Sequence, residues 1–164
     1  MTVHIRKMQA ADFPQVQHIA QLSWHHTYEG ILPVHIRQKF LEDYYNARAL
    51  LQRLENSIMF VAEKDDTICG FDNYLPVDTA GNCELASIYL NPQLQGKGIG
   101  TALLEEAIQN FYGLKTIQLI VERDNAIGMQ FYQSKGFQIV EEFEEDFEGH
   151  TLYSVRMLLN ICSC

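Results

Sequence analysis

Apolar and polar residues alternate through "TVHIRKM" at the start of the chain, as they do along a half-buried strand. The period then lengthens. Asp12-Phe13-Pro14 opens a helical pattern through Val16, Ile19, Ala20 and Leu22 toward Tyr28, and Gly30 and Pro33 break it. Further helices are predicted over 34–45 and 47–54, both amphipathic enough to lie on a sheet. "SIMFVAEK", "TICGFDNYLPV" and "CELASIYL" return to the strand period, with turns at Asp65-Asp66 and Ala80-Gly81-Asn82, which predicts an antiparallel meander. Ile99, Ala102, Leu103, Ala107, Ile108 and Phe111 repeat at helical spacing within 99–112, and "KTIQLIVE" is a short β-branched strand. Asn125 can cap a helix that stops at Gly136, where glycine supplies a left-handed residue. Closing strands over 138–143 and 152–159 complete the pattern. With no repeat, low-complexity tract or linker, residues 1–164 are expected to form a single mixed α/β domain.

Composition narrows the class. A length of 164 residues allows one domain with a real core. No apolar run approaches the roughly 20 residues of a membrane span, and the N-terminus lacks a signal-peptide core. A soluble cytoplasmic protein, with no membrane partner, is the expectation. Cys69, Cys83, Cys162 and Cys164 have no paired spacing, so they are expected to be reduced; the "CSC" tail is assigned no role. A net charge of −9 argues against a nucleic-acid partner and suits a cationic one. No metal is expected: neighbouring His25 and His26 cannot both face one site on a helix, and no HExxH accompanies them.

Glycines at 96, 98 and 100 precede the helix beginning at Ile99. Alternating glycines let the main chain approach a ligand, and a helix N-terminus offers N–H groups and positive dipole to a phosphate. A P-loop requires Lys-Ser/Thr after its last glycine, whereas Thr101-Ala102 follows here. The dinucleotide fingerprint fails too, because its third glycine would fall on Thr101. Glycine alternation by itself leaves a simple turn equally open.

The fuller pattern Gln95-x-x-Gly98-x-Gly100, between strand and helix, resembles the acetyl-CoA pyrophosphate loop of the GNAT superfamily of N-acetyltransferases. The resemblance extends to "ELASIYLNPQLQGKGIGTALL", to "LIVERDNAIGMQFYQSKGF" and to the order of elements over nearly the whole chain. It implies an α/β (α+β) GNAT fold: a central, mixed, mostly antiparallel twisted sheet of about seven strands flanked by four to five helices. It also implies an enzyme that moves acetyl from acetyl-CoA to a primary amine in a ternary complex, with homodimers common. Backbone from Gln95, Gly96, Lys97, Gly98, Ile99, Gly100 and Thr101 would hold the pyrophosphate, with Lys97 at its edge. Ile88, Tyr89 and Leu90, opposite Ile120 and Val121, would flank the pantetheine arm where two strands splay.

Asn125 and Tyr132 are seven apart and on a helix would share one face, while Ile127 and Phe131 are expected to point into the core. The resemblance makes Tyr132 the acid that protonates the departing thiolate and lets Asn125 help place the cofactor. An acceptor amine of ordinary pKa ~10.4 costs roughly 4.6 kcal/mol to deprotonate at pH 7, so a base is expected. Glu84, on one strand face with Ala86 and Ile88, is the first candidate and Glu122 the second. "WHHTYEGILP" resembles the first-helix ending of many bacterial members, and Trp24, Tyr28, Glu29, Asn73 and Tyr74 are the candidate acceptor pocket. The acceptor is a small-molecule or peptide amine, and "EEFEEDFEG" near the closing hairpin could attract a polyamine or a basic peptide end. The alternative is a non-catalytic acyl-CoA-binding sensor or partner-binding module on the same fold.

Overall fold

A computed structural model describes residues 2–161; the Cys162 and Cys164 tail lies outside the described residues. Seven strands form one sheet in the order β1-β2-β3-β4-β5-β7-β6. β1 (His4–Lys7), β2 (Ile58–Lys64), β3 (Thr67–Tyr74) and β4 (Asn82–Leu90) make the predicted antiparallel run. β5 (Thr116–Glu122) pairs parallel with β4, and β7 (His150–Asn160) inserts between β5 and β6 (Gln138–Phe147).

Two apolar clusters sandwich this sheet. On one face α1 (Phe13–Tyr28), α2 (Val34–Tyr44) and α3 (Ala47–Asn56) bury Val16, Ile19, Ala20, Ile36 and Leu50 against Met59, Val61 and Phe71. On the other, α4 (Ile99–Asn110) buries Ile99, Leu103, Leu104 and Ala107 against Phe60, Leu85 and Ile117, and α5 (Ala126–Ser134) packs Met129 and Tyr132 onto that cluster. Among the described residues no helix is long and apolar enough to cross a membrane.

The feature that shapes the site is the β4–β5 pair. Its register runs only from Asn82↔Thr116 to Glu84↔Gln118, although both strands continue. Just beyond, the β3 register steps from Tyr74↔Leu85 to Asn73↔Ser87, so Ala86 is the extra residue of a β-bulge. A bulge bends its strand, and here the bend carries β4 away from β5. The hairpin strands β6 and β7 run longer than expected, into the acidic stretch and its turn at Glu148-Gly149.

Candidate functional site

The diverging strands open a cleft of about 400 Å³ lined by Ile88, Tyr89 and Leu90 on one side and Ile120 and Val121 on the other. Beyond Glu84, β4 has no strand partner on its β5 side, and unpaired strand groups are ready to bond an extended ligand.

One end of the cleft is the start of α4. Helices α3 and α5 are capped by Asn46 and Asn125, which accept from the N–H groups of Ala49 and Gly128. α4 has no side-chain cap: it begins at Gly98, and its first helical bond is Ala102 N–H to the Gly98 carbonyl. The N–H groups of Ile99, Gly100 and Thr101 therefore have no helical partner and need an acceptor from outside. Gly96 and Gly98 take φ of +77° and +85°, and a Cβ on either would meet nothing within 4 Å. The loop presents bare main chain to open space, which fits a diphosphate. Gln95, Gly96, Gly98, Ile99, Gly100 and Thr101 all line the cleft; Lys97 is exposed and outside the lining.

Gly100 differs from the other two glycines. It is helical and buried, and an added Cβ would lie 3.1–3.2 Å from the Phe131 ring. Its bareness admits α5 against α4, so the expectation that all three glycines serve ligand approach is corrected to two. The expectation for α5 also changes. Ile127 is 55% exposed instead of pointing inward, while Tyr132 packs on the core with its ring toward Phe137 and lines the cleft. Asn125 is the N-cap, outside the helical spiral, and its side-chain oxygen accepts from Gly128 N–H at 3.0 Å. It still lines the cleft beside Tyr132. Shielding of the Tyr132 hydroxyl pushes its pKa up, with smaller contributions from Tyr28 and Asp72, so it stays protonated at working pH.

Neither carboxylate expected as a base lines the cleft. Glu84 sits at the closed end opposite Gln118. The bulge at Ala86 also breaks the simple alternation: Leu85 and Ile88 both pack toward α4, so Glu84 and Ile88 face opposite sides of β4. Glu122 is buried, and its carboxylate accepts from the backbone N–H groups of Asp124 and Tyr153. It ties the β5–α5 turn to β7. Sequence reading missed His26, Ser23, Thr27 and Asp124, which do line the cleft. Helical spacing gave a faint signal for the first, because Ser23, His26 and Thr27 stand at i, i+3 and i+4.

Of the acceptor-pocket candidates only Tyr28 reaches the cleft. Trp24 is buried, stacks on Phe40 at 3.7 Å and donates from Nε1 to the Tyr89 hydroxyl at 2.7 Å. Asn73 donates to Ser57 Oγ at 2.8 Å and to the Ile58 carbonyl at 3.2 Å. Tyr74 is wholly buried edge-on to Phe111, and Glu29 is exposed beyond the end of α1. Around Tyr28 the environment is acidic: burial, then Glu122, Tyr45 and Glu145, push its pKa up to about 12. Phe147 at the tip of the β6–β7 hairpin packs on Trp24 and Phe40, and Lys39 and Glu148 pair at 3.4 Å, so the hairpin closes over α1 and α2 here. Among the described residues no group of three or more His, Cys, Asp or Glu could hold a metal ion.

A family model described as the acetyltransferase (GNAT) family matches residues 14–137. The chain is 32% identical over 155 residues to a spermidine N(1)-acetyltransferase of Thermoplasma acidophilum, covering 90% of this chain and 95% of that protein. Its fold is similar to the crystal structure of the PaiA N-acetyltransferase of Thermoplasma acidophilum in complex with coenzyme A, with a TM-score of 0.84 and 28% identity. That match covers 98% of this chain and 100% of the other. The YncA structure of Salmonella typhimurium with acetyl-CoA shares the fold at a TM-score of 0.68 and 22% identity, covering 100% of this chain and 96% of that one.

Proposed function

The chain belongs to the acetyltransferase (GNAT) family and is an acetyl-CoA-dependent N-acetyltransferase, and from that premise we propose that its acceptor is a small polycationic amine of the polyamine class. The observation that carries this reading is the acidic neighbourhood of Tyr28, which lines the same cleft as the uncapped start of α4. Glu122 and Glu145 lie outside the lining but near enough to Tyr28 to help raise its pKa. A spermidine acetyltransferase among the relatives and the net charge of −9 support the same class.

Bound acetyl-CoA supplies the activated acetyl thioester. The loop from Gln95 to Gly98 and the N–H groups of Ile99, Gly100 and Thr101 hold the pyrophosphate. The free backbone edges at Ile88–Leu90 and Ile120–Val121 hold the pantetheine arm, with Asn125 beside it. An unpaired β4 N–H past the bulge polarises the thioester carbonyl. His26 takes a proton from the incoming ammonium, since it lines the cleft and imidazole is the usual general base. The C–N bond forms, the C–S bond breaks, and Tyr132 gives its proton to the sulfur. Its phenolate is reprotonated by the proton that the acetylated nitrogen sheds. Soluble cytoplasmic residence, a single domain over 1–164 and homodimerisation complete the reading.

Measuring CoA thiol release with spermidine, putrescine and an uncharged monoamine tests it. Saturable release is expected with spermidine and putrescine, with a KM at least about tenfold below that of the monoamine. Equal KM values across the three would remove the polyamine assignment. His26→Asn is expected to lower kcat about tenfold or more; an unchanged kcat would move the base to Asp124.

A further inference from the structure

Among the described residues that line the cleft, Asp124 is the one carboxylate, and no Lys or Arg joins it there. Its side chain forms no ion pair or hydrogen bond with the described residues. The neighbouring cation is turned elsewhere: the Arg123 guanidinium lies over the Tyr153 ring at 4.8 Å and lines a separate small pocket with Glu142 and Glu144. The backbone around Asp124, by contrast, is held on every side. Its N–H donates to the buried Glu122 carboxylate, which also accepts from Tyr153 N–H at 3.2 Å. Its carbonyl accepts from Ala126 N–H at 3.0 Å, while Arg123 N–H donates to the Tyr153 carbonyl at 2.7 Å and Asn125 N–H to the Glu122 carbonyl at 3.0 Å. A fixed turn thus presents one free carboxylate to the cleft.

We propose that Asp124 is the residue that selects a polycationic acceptor: its carboxylate pairs with an ammonium of the polyamine other than the nitrogen that is acetylated. This deepens the reading of the acceptor as a polyamine and rests on it. Closing an active site around its substrates expels water, and a carboxylate cut off from water requires a cation beside it. The cleft walls near the turn supply none, since Ile120, Ile127 and Tyr28 are apolar or neutral. Tyr28 offers an aromatic face to the same cation, and it lies near enough to the turn for Glu122 to help raise its pKa.

An acceptor with a single nitrogen cannot satisfy this carboxylate, because that nitrogen must lose its charge to attack the thioester. A diamine or triamine keeps a second ammonium throughout the reaction. The ion pair makes and breaks no covalent bond; it holds the acceptor so that the free nitrogen meets the thioester carbon. Asp124 also directly precedes the Asn125 cap of α5, where negative charge favours the helix dipole. That contribution is to stability and is blind to the charge of the acceptor.

The test is steady-state kinetics with spermidine and with propylamine for the parent protein, Asp124→Asn, Asp124→Ser and Asp124→Glu, with folding checked by circular dichroism and acetyl-CoA affinity by calorimetry. Asp124→Asn and Asp124→Ser are each expected to lower kcat/KM for spermidine at least about tenfold more than for propylamine, through KM, with acetyl-CoA affinity within about threefold. Asp124→Glu keeps the charge and should recover most of that discrimination. A loss of kcat equal for the two amines would make Asp124 the base, and acetyl-CoA affinity weakened about tenfold or more would make it a cofactor contact. A lower melting temperature with the spermidine KM intact would leave it a helix-end charge alone. Each of these overturns the inference. If the parent itself takes spermidine and propylamine with equal KM, the polyamine reading fails and the inference falls with it; a parent that discriminates beside an Asp124→Asn that discriminates equally overturns the inference alone.

Discussion

Asp12 and Asp72 are both buried aspartates, and their surroundings move them in opposite directions. Arg6 grips Asp12 with two bonds of 2.8 and 2.9 Å, and the Gln9 N–H adds a third at 2.8 Å; Arg6, ahead of the backbone bond, lowers its pKa. A carboxyl held low contributes stability above its ordinary value near 4, and this is lost as pH falls through the folded value. Asp72 is raised by burial, so its contribution is complete below about pH 4 and declines as pH climbs toward its folded value. Urea midpoints at pH 3, 5 and 7 read both. Asp12→Asn should cost about 1–3 kcal/mol at pH 7 and much less at pH 3, whereas Asp72→Asn should gain stability relative to the parent as pH rises. Variants with the same pH slope as the parent would refute the assignment. The sequence carried no sign of this difference, because both aspartates sit beside a Phe and only the partner across space separates them.

At the scale of elements, the glycines before and within α4 do two jobs. Gly98 holds φ at +85°, where a side chain costs roughly 1–2 kcal/mol, and its loop faces open space. Gly100 makes room for Phe131. Gly98→Ala is therefore expected to weaken acetyl-CoA binding, read by calorimetry, more than it lowers kcat. Gly100→Ala should do the reverse, because displacing Phe131 displaces Tyr132 beside it. Identical profiles for the two variants would deny the division. The seven strands and five α-helices of the described residues were all legible, most of them from apolar spacing and α5 from its Asn125 cap and Gly136 stop. The hairpin ends were not: the strand expected over 138–143 runs on to Phe147, because β6 is an exposed sheet edge where charge is an asset. The bulge at Ala86 was equally hidden. It has no sequence mark, and it set Glu84 and Ile88 on opposite faces.

For the molecule as a whole, the sheet is one surface that parts at its centre, and function gathers where it parts. The half nearest β1 carries α1 to α3 and the aromatic layer of Trp24, Phe40 and Phe147, which seats the hairpin. The other half carries α5 and Tyr132. The cofactor side of the cleft was readable because loop, strand and cap motifs are local. The acceptor side was not, because it is assembled from α1, the β5–α5 turn and the hairpin; Trp24, Asn73 and Tyr74 had the right chemistry and were claimed by the core. Fold alone does not fix chemistry, so the account stands on Tyr132 in that cleft. The most direct measurement is the turnover of Tyr132→Phe with spermidine, alongside its acetyl-CoA affinity by calorimetry. A fall in kcat of about a hundredfold or more with affinity within about threefold is the predicted result. Unchanged turnover would contradict the account.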